Sequence, residues 1–146
     1  MLDKISNNMR TATPIIILIF SLLGIGLTSF LTYQHYYAAE ICNINQFFSC
    51  DAVNKSIYSE FLGIPVAVLG LIYFATVACL SFSTKKKNTI RIFFLSLVSI
   101  VPSAVLTYIE LFVLHAACIV CESTKVLIIA IMIISYFSFK RAKTRP

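Results

Sequence analysis

Four long stretches without a charged residue alternate with polar segments along the chain. They cover residues 14–33, 61–84, 92 to about 109, and about 126 to 139, the last extended toward Cys118. Twenty helical residues at 1.5 Å per residue cover about 30 Å, the thickness of a bilayer's hydrocarbon core. The pattern therefore predicts four transmembrane helices.

Three connections join these predicted helices. The first, about 34–60, is long, the second is short and basic at about 85–91, and the third is tight at about 114–118. Only the first is large enough to hold a separate feature. We therefore expect an all-α integral membrane protein: a four-transmembrane-helix bundle with one external cysteine-bearing loop, forming a single domain over residues 1–146.

The composition is typical of a protein embedded in a lipid bilayer. Of its residues 59% are hydrophobic and 12% are charged, and the mean hydropathy is +0.90. A soluble domain carries about twice that share of charge. The net charge of +6 would suggest nucleic acid in a soluble protein, but here the cations flank apolar runs. We expect a lipid membrane as partner and no nucleic acid.

The positions of Lys and Arg predict the orientation. Ten of the twelve fall in three groups, at residues 4–10, 85–91 and 140–145, which four helices would place on one face. The long loop carries only Lys55. Short loops rich in Lys and Arg stay on the cytoplasmic side. We therefore expect a multi-pass membrane protein with both termini cytoplasmic and the long loop external, on the outer face of a bacterial inner membrane or in the lumen of the eukaryotic secretory pathway.

The cysteines are the candidate reactive groups. Four of the five form two close pairs, Cys42/Cys50 in the long loop and Cys118/Cys121 where the fourth helix starts. Both pairs are predicted on the external face, where disulfides persist. Side chains three residues apart share a helix face, so a disulfide can close at Cys118/Cys121. A helix N-terminus favours thiolate, which predicts that Cys118 or Cys121 is unusually acidic.

The segment between Cys42 and Cys50 is polar and without helical period, typical of a mobile loop. Such a loop can relay electrons by successive thiolate attacks on disulfides. The alternative is a structural disulfide worth about 2 to 3 kcal/mol. For Cys118/Cys121 the alternatives are small packing residues or half of a metal site with His115, which lacks a fourth ligand, so no metal is predicted. Cys79 is expected to be an apolar packing residue in mid-membrane.

Together these residues resemble the vitamin K epoxide reductase family, in its bacterial branch. The resemblance lies in the Cys42 to Cys50 spacing, the run Ser-Cys-Asp-Ala-Val-Asn-Lys-Ser at 49–56, the run Phe-Leu-Gly-Ile-Pro-Val-Ala at 61–67, and Cys118-Ile-Val-Cys121. It covers nearly the whole chain.

The resemblance implies a helix bundle around a quinone pocket, with ubiquinone or menaquinone as the cofactor. Cys118 and Cys121 would be the active-site pair, with Cys121 next to the quinone. Cys42 would exchange with an external thioredoxin-fold (DsbA-like) periplasmic protein, and Cys50 would pass electrons to Cys118. No fused thioredoxin-like domain is seen, so this partner is expected to act in trans. The net result would be disulfide bond formation.

Ser56 matches the Ser or Thr of the family's loop, which implies hydrogen bonding to the quinone. Its alternative role is to cap a short loop helix. Lys125 stands where animal members carry Tyr, and no counterpart of their pocket Asn is found, so epoxide reduction is not expected.

Glu110, near the outer end of the third predicted helix, either delivers protons or simply reaches the interface, with Lys125 as its counter-ion. Rival functions for the whole chain are a small four-helix transporter using Glu110 and a membrane metal-binding scaffold. Another rival is an unrelated four-helix quinone reductase.

Overall fold

A computed structural model describes residues 2–37, 48–83 and 86–143, and these are mostly helical. In chain order the elements are α1 (Leu2–Tyr37), α2 (Cys50–Asn54), a 3-10 turn (Ile57–Ser59), β1 (Glu60–Phe61), β2 (Ile64–Pro65), α3 (Val66–Ser81), α4 (Lys86–Phe112) and α5 (Ile119–Lys143).

Three of the helices are long and apolar enough to cross a membrane. The qualifying segments are Ala12–Tyr37 of α1, Lys87–Phe112 of α4 and Ile119–Lys140 of α5. The apolar helix α3 has 16 residues, which cover about 24 Å and fall short of a full hydrocarbon core. A membrane-spanning role for α3, and with it the count of four spans, stays a prediction.

The helix expected over 61–84 begins later than predicted because the chain first turns back on itself. Leu62 and Gly63 have φ angles of +55° and +79°, in the left-handed region that a helix cannot use. They connect β1 to β2, where Phe61 pairs with Ile64. A charge-free run does not reveal such a turn, and so the predicted start at residue 61 was wrong.

The four long helices form a closed bundle. Helix α1 packs mainly against α3 and α5, and α4 packs mainly against α5 and α3. Consecutive neighbours around the bundle are therefore α1, α3, α4 and α5. This arrangement places the start of α5 beside α1 and beside the segment that carries α2, which also contacts both.

Small and polar side chains occupy much of the buried face of α1, and large apolar ones face outward. The buried positions recur every three or four residues: Ile17, Ser21, Gly24, Thr28, Leu31 and Gln34. On the outward face, side chains such as Ile15 and Leu22 are more than half exposed. Small residues at helix contacts and apolar residues outside are typical of bundles in lipid.

Among the described residues, two apolar clusters occupy the interior. The larger joins all four long helices through Ile17, Tyr73, Phe74, Val77, Ile92, Ile128 and Ile131. The second, which we call the cysteine cluster, consists of Leu31, Cys50, Val53, Ala116 and Cys118. The cysteine cluster lies where α2 meets the ends of α1 and α4 and the start of α5.

Candidate thiol site

Helix α2 carries Cys50 into the protein interior. Ser49 caps this short helix, because its hydroxyl oxygen accepts the N–H of Ala52 at 3.2 Å. The side-chain amide of Asn54 donates to the carbonyl of Leu31 in α1 at 2.8 Å. Phe48 forms a parallel bridge with Ala117. These contacts fix α2 between α1 and the start of α5, and only 1% of Cys50 remains exposed.

Cys118 immediately precedes α5 and is fully buried. Its sulfur accepts the backbone N–H of Cys121 at 3.2 Å, in the way that a capping side chain satisfies the free N–H groups of a first helical turn. A hydrogen bond from the Cys121 side chain lowers the pKa of the Cys118 thiol, although burial opposes this. Of the two cysteines in the motif, Cys118 is thus the one placed to be a thiolate.

The structure brings together three of the four cysteines predicted to react. Cys50 and Cys118 belong to the cysteine cluster, and Cys121 packs against it. Cys50 is disulfide-bonded, whereas Cys118 and Cys121 are free thiols. Cys42, with most of the predicted mobile loop, lies outside the described residues.

A buried ion pair lies behind the two thiols. Lys125 Nζ is 2.8 Å from Oε1 of Glu110 and 2.7 Å from Oε1 of Glu122. The same ammonium donates to the hydroxyl of Thr107 at 2.8 Å. The expected pairing of Glu110 with Lys125 is confirmed. Glu110 is only 2% exposed, so its carboxylate is enclosed by the protein and does not simply reach water. The sequence motifs did not single out Thr107, which meets Lys125 across the contact between α4 and α5. They also missed Glu122, although its position three residues before Lys125 in α5 is a helical spacing that could have found it.

Glu110 also holds the segment that leads to Cys118. Its backbone carbonyl accepts the N–H of Ala116 at 3.1 Å, and its Oε2 accepts the N–H of Cys118 at 3.4 Å. A carboxylate bound in this way is unavailable as the open binding charge that the transporter alternative requires.

A cavity of about 80 Å³ opens beside Cys121. Its walls combine aliphatic side chains with a few polar groups, among them Asn54, Ser59, Lys125 and Glu110. Such a lining suits a flat, mostly apolar ring with polar oxygens. A cavity of about 150 Å³ is known to take benzene, so a quinone ring fits here by its chemistry but requires the walls to move apart.

A larger groove of about 750 Å³ lies between α1 and α5 and is lined by residues such as Leu23, Gly26 and Val126. It is apolar, and none of the cysteines in the described part of the chain lines it. The electron transfer predicted for Cys121 requires contact with its sulfur, so the smaller cavity fits that prediction better than the groove does.

Ser56 does not line the cavity beside Cys121. Its hydroxyl donates to the carbonyl of Val53 at 2.8 Å. Ser56 occupies the N-cap position of the 3-10 turn, but its side chain makes no capping bond there. Ser59, three residues on, does line the cavity, and its hydroxyl donates to the carbonyl of Asn54 at 2.7 Å. Sequence spacing did not single out Ser59.

Cys79 and His115 lie apart from the thiol site. Cys79 is exposed on α3 rather than packed inside the bundle. His115 is also exposed, with a φ of +47° in the turn before α5. Within the described parts of the chain, no group of three or more His, Cys, Asp or Glu side chains is placed to hold a metal ion.

Comparison with known proteins adds one match. The family model described as "Vitamin K epoxide reductase family" matches residues 15–136, which are 122 of the 146 residues. All four cysteines of the two pairs fall within that range. No curated protein matches the chain.

Proposed function

This chain belongs to the vitamin K epoxide reductase family, whose members are membrane thiol oxidoreductases, and we propose that it transfers electrons to a quinone. The donor would be a reduced thioredoxin-fold periplasmic protein, and the path would run through Cys42/Cys50 and then Cys118/Cys121. The quinone, ubiquinone or menaquinone, would accept two electrons and two protons. Continued turnover would support disulfide bond formation.

One observation carries this proposal: Cys50 and Cys118 share a buried cluster, with Cys121 against it. Burial also keeps competing external thiols away from the exchange. The cluster thus places one cysteine of the loop pair, Cys50, against the membrane pair.

Thiol–disulfide exchange gives the order of steps. Starting from a reduced loop pair and a Cys118–Cys121 disulfide, the Cys50 thiolate attacks the Cys118 sulfur, and Cys121 leaves as thiolate. Cys42 then attacks Cys50 and releases Cys118. The loop pair is now oxidised by two electrons and the membrane pair is reduced by two. An oxidised Cys50 beside two free thiols is the cysteine state of the structure.

Residues of the small cavity would hold the quinone ring. Cys121 contributes its sulfur to the wall, and the aliphatic side chains Leu31, Val66 and Ile128 would pack on the ring. The hydroxyl of Ser59 and the ammonium of Lys125 are candidate donors to quinone oxygens. Ser56 reaches such a quinone only by a change in the loop, and its role stays a prediction.

The proposal includes a topology. Both termini would lie in the cytoplasm of a bacterial cell, α3 would complete a fourth span, and the two cysteine pairs would face the periplasm. The groups of Lys and Arg support this orientation. The described and matched residues form one helical bundle, in accord with a single domain.

The direct test is anaerobic quinone reduction by the dithiol-reduced protein in detergent. Wild type is expected to reduce quinone stoichiometrically, and Cys121→Ser is expected to lose the reaction. Cys79→Ser is the matched control, because Cys79 is exposed on α3 away from the site. It should react like wild type.

Equal, negligible rates in wild type and Cys121→Ser would contradict the proposal. Loss of activity in Cys79→Ser alone would place the reactive thiol elsewhere. Activity that persists in Cys121→Ser but not in Cys118→Ser would reverse the assignment of the sulfur nearest the quinone.

A further inference from the structure

We infer that the Glu110 carboxylate sets the reduction potential of the Cys118/Cys121 couple, making the pair a stronger electron donor than the start of α5 alone would make it. The inference rests on the proposed function, in which these two cysteines cycle between dithiol and disulfide. Glu110 would act through the two sulfurs and is a positioning residue, because it does not itself react.

The carboxylate is fixed on both of its oxygens. Oε2 accepts the N–H of Cys118 at 3.4 Å, and Oε1 binds Lys125 Nζ at 2.8 Å. With 2% of the residue exposed, water provides little screening of its charge. The Glu110 charge therefore acts on the cysteine pair from a constant position.

Lys125 does not neutralise the charge next to the thiols. Its three ammonium protons are directed to Glu110, Glu122 and Thr107, at 2.7 to 2.8 Å. Two carboxylates share one ammonium, so Glu110, Lys125 and Glu122 together carry a charge of −1 when all are ionised. Glu110 is also the member bonded to the backbone of Cys118 itself.

Two influences on the Cys118 sulfur oppose each other. The start of α5 and the N–H of Cys121, 3.2 Å away, favour the thiolate. The negative charge of Glu110 disfavours it. Stabilising a thiolate favours the reduced form and makes a couple more oxidising. Glu110 does the reverse and favours release of electrons.

The chemistry of the couple itself is unchanged by this effect. On oxidation Cys118 and Cys121 lose two electrons and two protons, and one S–S bond forms between them. In the proposed function the quinone takes the electrons and protons. In a glutathione buffer the disulfide of oxidised glutathione takes them and breaks into two thiols.

The test is a redox titration of the full-length protein in detergent, with glutathione or dithiothreitol buffers. Alkylation and mass spectrometry give the reduced fraction of the peptide with Cys118 and Cys121. Glu110→Gln removes the charge and keeps the shape and an acceptor oxygen. It is expected to shift the equilibrium about tenfold toward the dithiol, which is about 30 mV for this two-electron couple.

Glu122→Gln is the matched control. It removes a carboxylate bound to the same lysine, but the Glu122 side chain is 43% exposed and its charge is screened by water. Its shift should stay below about threefold. A Glu110→Gln equilibrium within about threefold of wild type, or shifted toward the disulfide, would overturn the inference.

If Glu110→Gln does not fold, the double variant Glu110→Gln/Lys125→Gln answers the same question without an unpaired buried charge. Because Glu110 is bonded to Cys118 and Lys125 is not, the expected shift has the same sign and is smaller. An unshifted double variant would contradict the inference. If the wild-type protein never forms the Cys118–Cys121 disulfide, both this inference and the proposed function are refuted.

Discussion

Two glycines of α1 differ in what surrounds them. A Cβ atom built on Gly24 would overlap the ring of Phe74, which is fully buried in α3. A Cβ on Gly26, two residues along the same helix, would meet nothing within 4 Å. Gly24 thus permits the close approach of α1 and α3, whereas Gly26 lies beside the apolar groove.

Gly24→Ala should therefore destabilise the bundle, and Gly26→Ala should not. Overpacking of this kind typically costs about 1 to 3 kcal/mol, while Gly to Ala in an open helical position gains up to about 1 kcal/mol. Thermal unfolding in one detergent measures both variants against wild type. Equal stabilities for the two variants would show that α1 and α3 are not in such close contact.

At the scale of elements, α2 depends on α1 for its position. Asn54, which is 6% exposed, donates from its side chain to Leu31, and its own carbonyl lies 2.8 Å from Nδ1 of His35. Ser59 donates to the same carbonyl. One residue at the end of α2 therefore connects α1, α2 and the 3-10 turn, and it keeps Cys50 against Cys118.

Replacing Asn54 should impair the step between the two cysteine pairs. Loss of a buried hydrogen bond costs about 1 to 3 kcal/mol. We therefore expect Asn54→Ala to slow about tenfold the reduction of the Cys118–Cys121 disulfide by electrons from a thioredoxin-fold donor. Quinone reduction by a protein already in the dithiol form should change much less. Rapid-mixing kinetics with each donor separate the two steps.

Lys55→Ala is the control for that experiment, since Lys55 follows Asn54 and its ammonium lies 3.2 Å from the carboxylate of Asp51 in α2. It should leave both rates near wild type. A Lys55→Ala effect as large as that of Asn54→Ala would mean that disturbing α2 anywhere slows transfer, and that the bond to Leu31 has no special role.

At the scale of the whole molecule, the ends of the bundle differ in charge. The cysteine cluster and the loop with Lys55 lie at one end, and the Lys and Arg groups lie at the other by sequence. Exposed apolar side chains, for example those of Val98 and Ile72, cover the surface between the two ends. A protein with this distribution is expected to cross the membrane with its basic end in the cytoplasm.

Single cysteines introduced at the two ends test that orientation. In a variant whose five native cysteines are replaced by Ser, Ile57→Cys should react with a membrane-impermeant maleimide in cells whose inner membrane is intact. Ile57 is 84% exposed. Lys87→Cys, on the exposed side of the first turn of α4, should react only after the membrane is permeabilised. The opposite pattern would invert the topology, and labelling of both would break the four-span prediction.

The sequence by itself determined the apolar helices, the resemblance to the family and the pairing of cysteines into two sets. These follow from local patterns: the length of an uncharged run, the spacing of Cys118 and Cys121, and the distribution of Lys and Arg. Long segments of this kind form helices because lipid leaves the backbone no other partner for its hydrogen bonds. Family membership, confirmed over residues 15–136, rests on the same kind of pattern.

Only the tertiary structure decided which groups meet. Ser59 and Thr107 belong to no motif, and Thr107 meets Lys125 only because α4 packs against α5. Asn54 belongs to the matching run at 49–56, but its bond to Leu31, 23 positions away, appears only in the folded chain. The turn at Gly63 shortened α3, although its residues are as uncharged as the helix that follows. Local sequence fixes how each segment prefers to fold, whereas the surroundings of a sulfur or a carboxylate depend on which helices pack together.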